Sequence, residues 1–329
     1  MIRKGILFFC SIIVASSSLT ACTSAQSSTK LGADVILLDI SSGLNKAGTF
    51  NSEDHSTTSL SSRAVQLREK LSYSLGEGRA VYFGFVRETF GQQQIETLIS
   101  PKLILTIETI LNSDVKDKAL RKDAKDGILA AWSTVIVSNP ELANQANCKK
   151  TLEDKISVGS NGSITDRHAS QLASSLCANA LTANEQIEGL TSTPENIGSE
   201  IQAAVDRSIE KLASDQRRLV NADGKDVYLI PTIILVSDLI QVTNGSKITD
   251  TLFTLDSVDA SCKLAQDESE NYEIKIDQIV LISDGFASTE GNIKSDIRDK
   301  LSEYWKCWFE TRGITDLDLG TRGINLGEI

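Results

Sequence analysis

The chain has 329 residues, 40% of them hydrophobic and 23% charged, and a formal net charge of -11. That apolar content excludes disorder as the main state, and an acidic chain would be repelled by the phosphates of a nucleic acid. With only 2 His and 1 Met, a histidine-rich metal site and a methionine-rich adaptable groove are excluded as well.

In chain order, Arg3 and Lys4 precede an apolar run over residues 6–14, and small residues follow, ending Leu19-Thr20-Ala21-Cys22. A positive start, a short apolar middle and small residues at the cut form an export signal, too short for the roughly 20 residues of a membrane-spanning helix. The ending resembles the lipobox of bacterial lipoproteins, which implies cleavage after residue 21 and a lipid on Cys22. An ordinary cleavable signal with an incidental Cys22 is the alternative. Thr23, standing where an aspartate would retain the protein at the inner membrane, resembles the outer-membrane sorting class. The expected location is therefore the bacterial cell envelope, with the chain lipid-anchored at the outer membrane and facing the periplasm. Residues 22–32 form a tether, whose Ser/Thr-rich stretch 23–30 reaches about 28 Å when fully extended. Lipid, and not basic charge, would hold the domain at the membrane.

From residue 33 to 329 the pattern is that of one α/β domain. Apolar runs at 35–38, 80–86, 232–236 and 278–282 have no polar alternation, as in strands covered on both faces. Pro231 is expected to open its strand, since proline cannot donate to a ladder. Between the runs lie helical faces: Ala64, Leu67, Leu71 and Leu75 before Gly76 and Gly78, then Ile197, Ile201, Val205, Ile209 and Leu212. A last one, Ile297, Leu301, Trp305, Trp308 and Phe309, stops near Gly313 and reads as core packing. The alternation predicts a doubly wound, mostly parallel sheet flanked by helices. Residues 91–188 break it, with helix-like stretches at 98–110 and 118–137, and read as a mostly helical insertion. Residues 256–273 are acidic and read as a solvated loop. His55 and His168 fall in polar, loop-like stretches.

Once Cys10 has left with the signal and Cys22 is acylated, Cys148, Cys177, Cys262 and Cys307 remain, an even number in an oxidising compartment. Four cysteines allow three pairings. Proximity in sequence favours Cys148 with Cys177 and Cys262 with Cys307, with unpaired buried thiols as the alternative.

Three of the apolar runs end in aspartate: Asp39, Asp238 and Asp284. In an open parallel sheet, ligands bind outside the carboxyl ends of the strands where the order reverses, so these carboxylates can converge on one crevice. Each alone could equally cap the next turn. Together they call for a cation, since like charges so close disfavour one another's ionisation.

The first strand end continues Asp39-Ile40-Ser41-Ser42-Gly43. Here the sequence resembles the von Willebrand factor A (vWA) domain family, whose metal-ion-dependent adhesion site begins with Asp-x-Ser-x-Ser. Asp39 and Ser41 match the first two positions, and Gly43 stands where the family has its second serine. The resemblance implies a threonine ligand at Thr193, with Thr191 as the alternate, and a second aspartate at Asp238. Asp284-Gly285 matches the family's dipeptide better but comes one strand later, which makes Asp284 a secondary acidic candidate. Thr193, ahead of Pro194 and Glu195, is also a good helix N-cap. The implied metal set is thus Asp39, Ser41, Thr193 and Asp238, holding Mg²⁺ or Mn²⁺ through hard oxygens.

The function that follows is that of a lipid-anchored binding protein, not an enzyme, which recognises a protein partner and touches the membrane through its lipid. One rival is a metal-assisted hydrolase or phosphoryl-transfer enzyme using the same aspartates; the chain has no phosphate-cradling Gly-rich Lys motif and no Gly-x-Ser-x-Gly turn. Another is a metal-free structural envelope lipoprotein.

Overall fold

Strands form where the sequence is most apolar, and helices where apolar residues recur every three or four positions. The computed structural model describes residues 29–39, 60–86, 94–192, 200–243, 246–269, 279–284 and 294–319. The chain runs through β1 (Thr29–Asp39), α1 (Leu60–Gly76), β2 (Ala80–Val86), β3 (Glu96–Ile99), α2 (Pro101–Asp114) and α3 (Lys118–Ser133). A π-helical turn, Thr134–Ser138, leads to α4 (Cys148–Gly159), α5 (Asp166–Ser192) and α6 (Ile201–Gln216). Then come β4 (Val227–Val236), the short pair β5 (Val242–Thr243) and β6 (Ser246–Lys247), α7 (Ile248–Phe253) and α8 (Val258–Asp267). The described chain closes with β7 (Ile279–Asp284), α9 (Ser295–Thr311) and β8 (Ile314–Leu319).

Six strands form one sheet in the order β3-β2-β1-β4-β7-β8. All neighbours are parallel except β3, which pairs antiparallel with β2 at the edge. Asp34 of β1 meets Lys70 and Ser74 of α1, whereas Tyr82, paired in register with Val35, donates its hydroxyl hydrogen to Asp215 of α6. Successive residues on a strand face opposite ways, so α1 and α6 cover opposite faces of the sheet. Ile36 and Leu37 are accordingly fully buried at its centre. This is an α/β architecture with a mostly parallel mixed sheet.

Asp34 sits at the centre of a buried polar cluster. Its Oδ2 lies 3.0 Å from Lys70 Nζ and accepts from Ser74 Oγ, while its Oδ1 accepts from Arg79 Nε and Nη2. Arg79 Nη2 also donates to Thr232 Oγ1 on β4 at 3.1 Å, so the cluster joins α1, β1 and β4.

The helical layer beyond α1 is held by close approach. A Cβ on Gly127 of α3 would fall 2.5 Å from the carbonyl carbon of Gly159, so the two backbones pack at a distance only glycine permits. Trp132 is fully buried and donates to Leu71 O on α1. Buried Asn184 of α5 donates to Val135 O and Pro140 O, taking up carbonyls around the π-helical turn. Cys148 is joined to Cys177, tying α4 to α5, and Cys262 to Cys307, tying α8 to α9, as proximity in sequence favours.

Four expectations are corrected. The stretch 91–188 is not wholly outside the sheet and its first helix does not begin at 98, because residues 96–99 form β3; four residues are too few to show a period. Pro231 does not open its strand, since β4 begins at Val227. Among the described residues β7 pairs with β4 only from Thr232 onward, so Pro231 has no described ladder partner on that side, as a residue without an N–H requires. Residues 258–267 are helical and not loop, started by Ser257, whose Oγ accepts from Ala260 N. That helix buries only Ser261 and Ala265, which left no apolar stripe to read. His168 lies in the first turn of α5 and not in a loop. Ile197, Ile40 to Gly43, His55, Thr193 and residues 1–28 lie outside the described residues.

Candidate functional site

The strand order reverses between β1 and β4: the chain leaves β1 for β2 on one side, and β4 for β7 on the other. In such sheets the loops diverge there and open a crevice at the carboxyl ends of the two strands. Asp39 is the last residue of β1, and Asp238 lies two residues beyond the end of β4. Their exposures are 3% and 5%, so both carboxylates sit in surroundings that penalise a charge without compensation.

Ser237, fully buried, joins them. Its Oγ donates to Asp39 Oδ2 at 2.8 Å and accepts from Leu239 N at 3.0 Å. One residue on, Asp238 Oδ1 accepts from Ile240 N at 2.9 Å. These two side-chain-to-backbone bonds make a tight double turn of the kind Ser and Asp favour. Leu239 is held there at φ +60°, a left-handed conformation unusual for a residue with a branched side chain. Such strain persists only where the surroundings overdetermine it. Here buried Trp305 of α9 donates to Leu239 O at 2.7 Å, and Leu239 is itself buried in the core.

A polar network supports the turn from below. Gln241 Nε2 donates to Gln202 Oε1, Gln202 N donates to Gln241 Oε1, and Gln202 Nε2 donates to Tyr304 OH at 2.7 Å. Tyr304 donates in turn to Glu268. Burial, then the hydrogen bond and charge of Glu268, push the Tyr304 phenol far above its ordinary range, so it stays a neutral donor. Trp305, Trp308 and Phe309 are buried against one another, which is core packing and not a binding face.

The structure thus brings Asp39 and Asp238 to adjacent strand ends. Asp284 ends β7, in register with Val236 of β4, one strand further from the reversal. Thr191 falls in the last turn of α5, while Ser41, Thr193 and Cys22 lie outside the described residues. Sequence reasoning missed Ser237 as a site residue, together with Gln202, Gln241 and Tyr304 behind it. The one available signal was the position of Ser237 between an apolar run and Asp238; its bond to Asp39 spans 198 residues and has no local trace.

Cys262, Glu303 and Cys307 also bring three potential metal donors within 4.8 Å of one another. Both sulfurs are joined in the disulfide, so neither is the thiolate a metal requires. For the same reason the 3.7 Å approach of Cys307 Sγ to Glu303 Oε1 is a contact and not a hydrogen bond. No described helix is long and apolar enough to cross a membrane.

His168 has a partner of its own, 2.7 Å from its Nδ1 in Asp114 Oδ2. Burial alone would raise the Asp114 carboxyl, but hydrogen bonds from Thr165 N, His168, Ser113 and the Thr165 hydroxyl outweigh it and hold the group at about 2. A carboxyl lowered on folding contributes stability above its unfolded pKa and loses it as pH falls through the folded one. Asp114→Asn should therefore cost about 1 kcal/mol at neutral pH, with the cost fading between about pH 4 and pH 2. Urea unfolding of both forms across that window checks this; a cost independent of pH would assign the loss to packing instead.

No protein-family model matches the chain, and no curated protein matches it.

Proposed function

We propose that the chain is a lipid-anchored envelope protein whose vWA-like domain binds a protein partner through a divalent cation at the crevice between β1 and β4. The reading rests above all on one observation, the pair of buried aspartates on adjacent parallel strand ends where the strand order reverses, joined through Ser237. The donor chemistry fits: carboxylates and hydroxyls are hard oxygen ligands, suited to Mg²⁺ or Mn²⁺ and not to soft metals. Asp39 and Asp238 would hold the ion directly or through water, with Ser41 and Thr193 as further oxygen donors. An acidic side chain of the partner would complete the shell, which requires no general base. Anchoring at the outer membrane through Cys22 rests on the layout of residues 1–22.

Adding Mg²⁺ or Mn²⁺ to the purified chain should raise its melting temperature, and Asp39→Ala should remove the rise. At about 100-fold excess over the dissociation constant, binding to the native state alone stabilises by roughly 2.7 kcal/mol. Turnover of generic phosphoesters and esters should stay at background in the same preparation. A flat thermal response across millimolar metal would leave a metal-free scaffold, and metal-dependent turnover lost in Asp284→Ala would favour the enzyme.

A further inference from the structure

A second cleft lies at the opposite end of the sheet, between α2, the first turn of α5 and the segment that follows α6. It encloses about 620 Å³, within the range of pockets that take small organic ligands. Its place at the amino ends of the strands is fixed by Asn221 on its wall, whose Nδ2 donates to Thr29 Oγ1 at the start of β1.

The lining contrasts with the overall charge of the chain. Lys102, His168 and Arg218 line it and, among the described residues, no carboxylate does, although the whole chain carries a net charge of -11. Lys102 and Arg218 are exposed and have no ion pair among the described residues. Two solvated cations that do not use the many available carboxylates are free to meet an anion from outside. Leu105 and Leu219 supply an apolar wall beside them.

The imidazole is built into this wall and does not swing freely. Asp114 fixes its Nδ1 at 2.7 Å, and Asp114 is itself held by Thr165 N at 3.0 Å, at the start of the same helix. An ionised carboxylate at Nδ1 requires a hydrogen there, so Nε2 is the atom that changes on protonation. Neutral, Nε2 is an acceptor and repels an anion's lone pairs; protonated, it is a charged donor.

We propose that this cleft binds a small organic anion, its charged group held by Lys102, Arg218 and the protonated imidazole of His168, its apolar part laid against Leu105 and Leu219. Arg218 offers a planar fork to a carboxylate or phosphate, and Lys102 a point charge. The charged groups around that imidazole are Asp114 and Lys102 from α2 and Arg218 from the segment after α6, with Asp166 and Arg167 beside it on α5.

The test is calorimetric titration of the purified full chain with phenyl phosphate and with benzoate. The expected result is saturable one-to-one binding of at least one of them at neutral pH. The tighter of the two identifies the anionic group as phosphate or carboxylate. Arg218→Gln and Lys102→Gln, both at exposed positions, should each weaken it about fivefold or more with the melting temperature unchanged. His168→Gln, which removes the imidazole from the wall, should weaken it as well. Absence of saturation by both probes would overturn the proposal, as would affinities that neither Arg218→Gln nor Lys102→Gln changes.

Discussion

Replacing Asp34 by alanine should lower the unfolding free energy by about 3 to 5 kcal/mol, because it removes the carboxylate that a buried cation is paired with. Asp34 and Lys70 are 2% and 1% exposed, and Arg79 reaches the same carboxylate from the α1–β2 turn. The carboxylate compensates both cations, so its removal takes the partner 3.0 Å away from an ammonium buried beside the Tyr73 ring, whose centroid is 5.4 Å from Lys70 Nζ. Lys70→Met is the informative control. It leaves Asp34 with Arg79 and Ser74, puts an apolar chain of similar length in a buried place, and should cost about 1 to 2 kcal/mol, well below the alanine change. Urea unfolding at neutral pH measures both. Equal losses in the two variants would mean that packing, and not the lost pairing, sets the cost.

The same cluster shows what local sequence can and cannot carry. The run at 35–38 was legible as a covered strand because no polar residue interrupts it, but Asp34 stands just before that run and outside it. In fact β1 begins at Thr29, and Asp34 lies inside it. Lys70, between Leu67 and Leu71, is no part of the apolar face that marks α1. Its partner is 36 residues away on another element, and a pairing of that kind leaves no period to detect. The site divides in the same way. Asp39 and Asp238 were legible as strand-end residues, and parallel order then makes neighbours of them. Ser237, which links them, and Trp305, which pins Leu239 O, act through contacts made only after β1, β4 and α9 have assembled. Helix α8 was missed for a different reason: it has a good N-cap but almost no buried face, so hydrophobic period could not reveal it.

That thin burial sets the outcome expected when the Cys262–Cys307 bridge is removed. The bond closes a span of 45 residues and the Cys148–Cys177 bond one of 29. Chain entropy in the unfolded state makes these worth about 4 and about 3.6 kcal/mol, nearly the same. The native states differ far more. Helices α4 and α5 bury Leu152, Ile156, Leu172 and Leu176, so they stay packed when Cys148 and Cys177 are both serine. Helix α8 fully buries only Ser261 and Ala265, and beside the sulfur bond it is held to the body by partly buried Leu264 and by the hydrogen bond from Tyr304 of α9 to Glu268 at its end. Lys300 of α9 anchors the segment before it by donating to Leu255 O at 2.7 Å, which holds residue 255 but not the helix. With Cys262 and Cys307 both serine, α8 should therefore open locally while α9, with Trp305 and Trp308 in the core, remains in place. Native-state hydrogen exchange should show amides 258–267 losing protection well before those of α9, in contrast to a uniform loss in the Cys148/Cys177 variant. If amides 258–267 kept their protection without the bridge, side-chain packing would be enough to hold α8. The disulfide would then act on the unfolded chain alone.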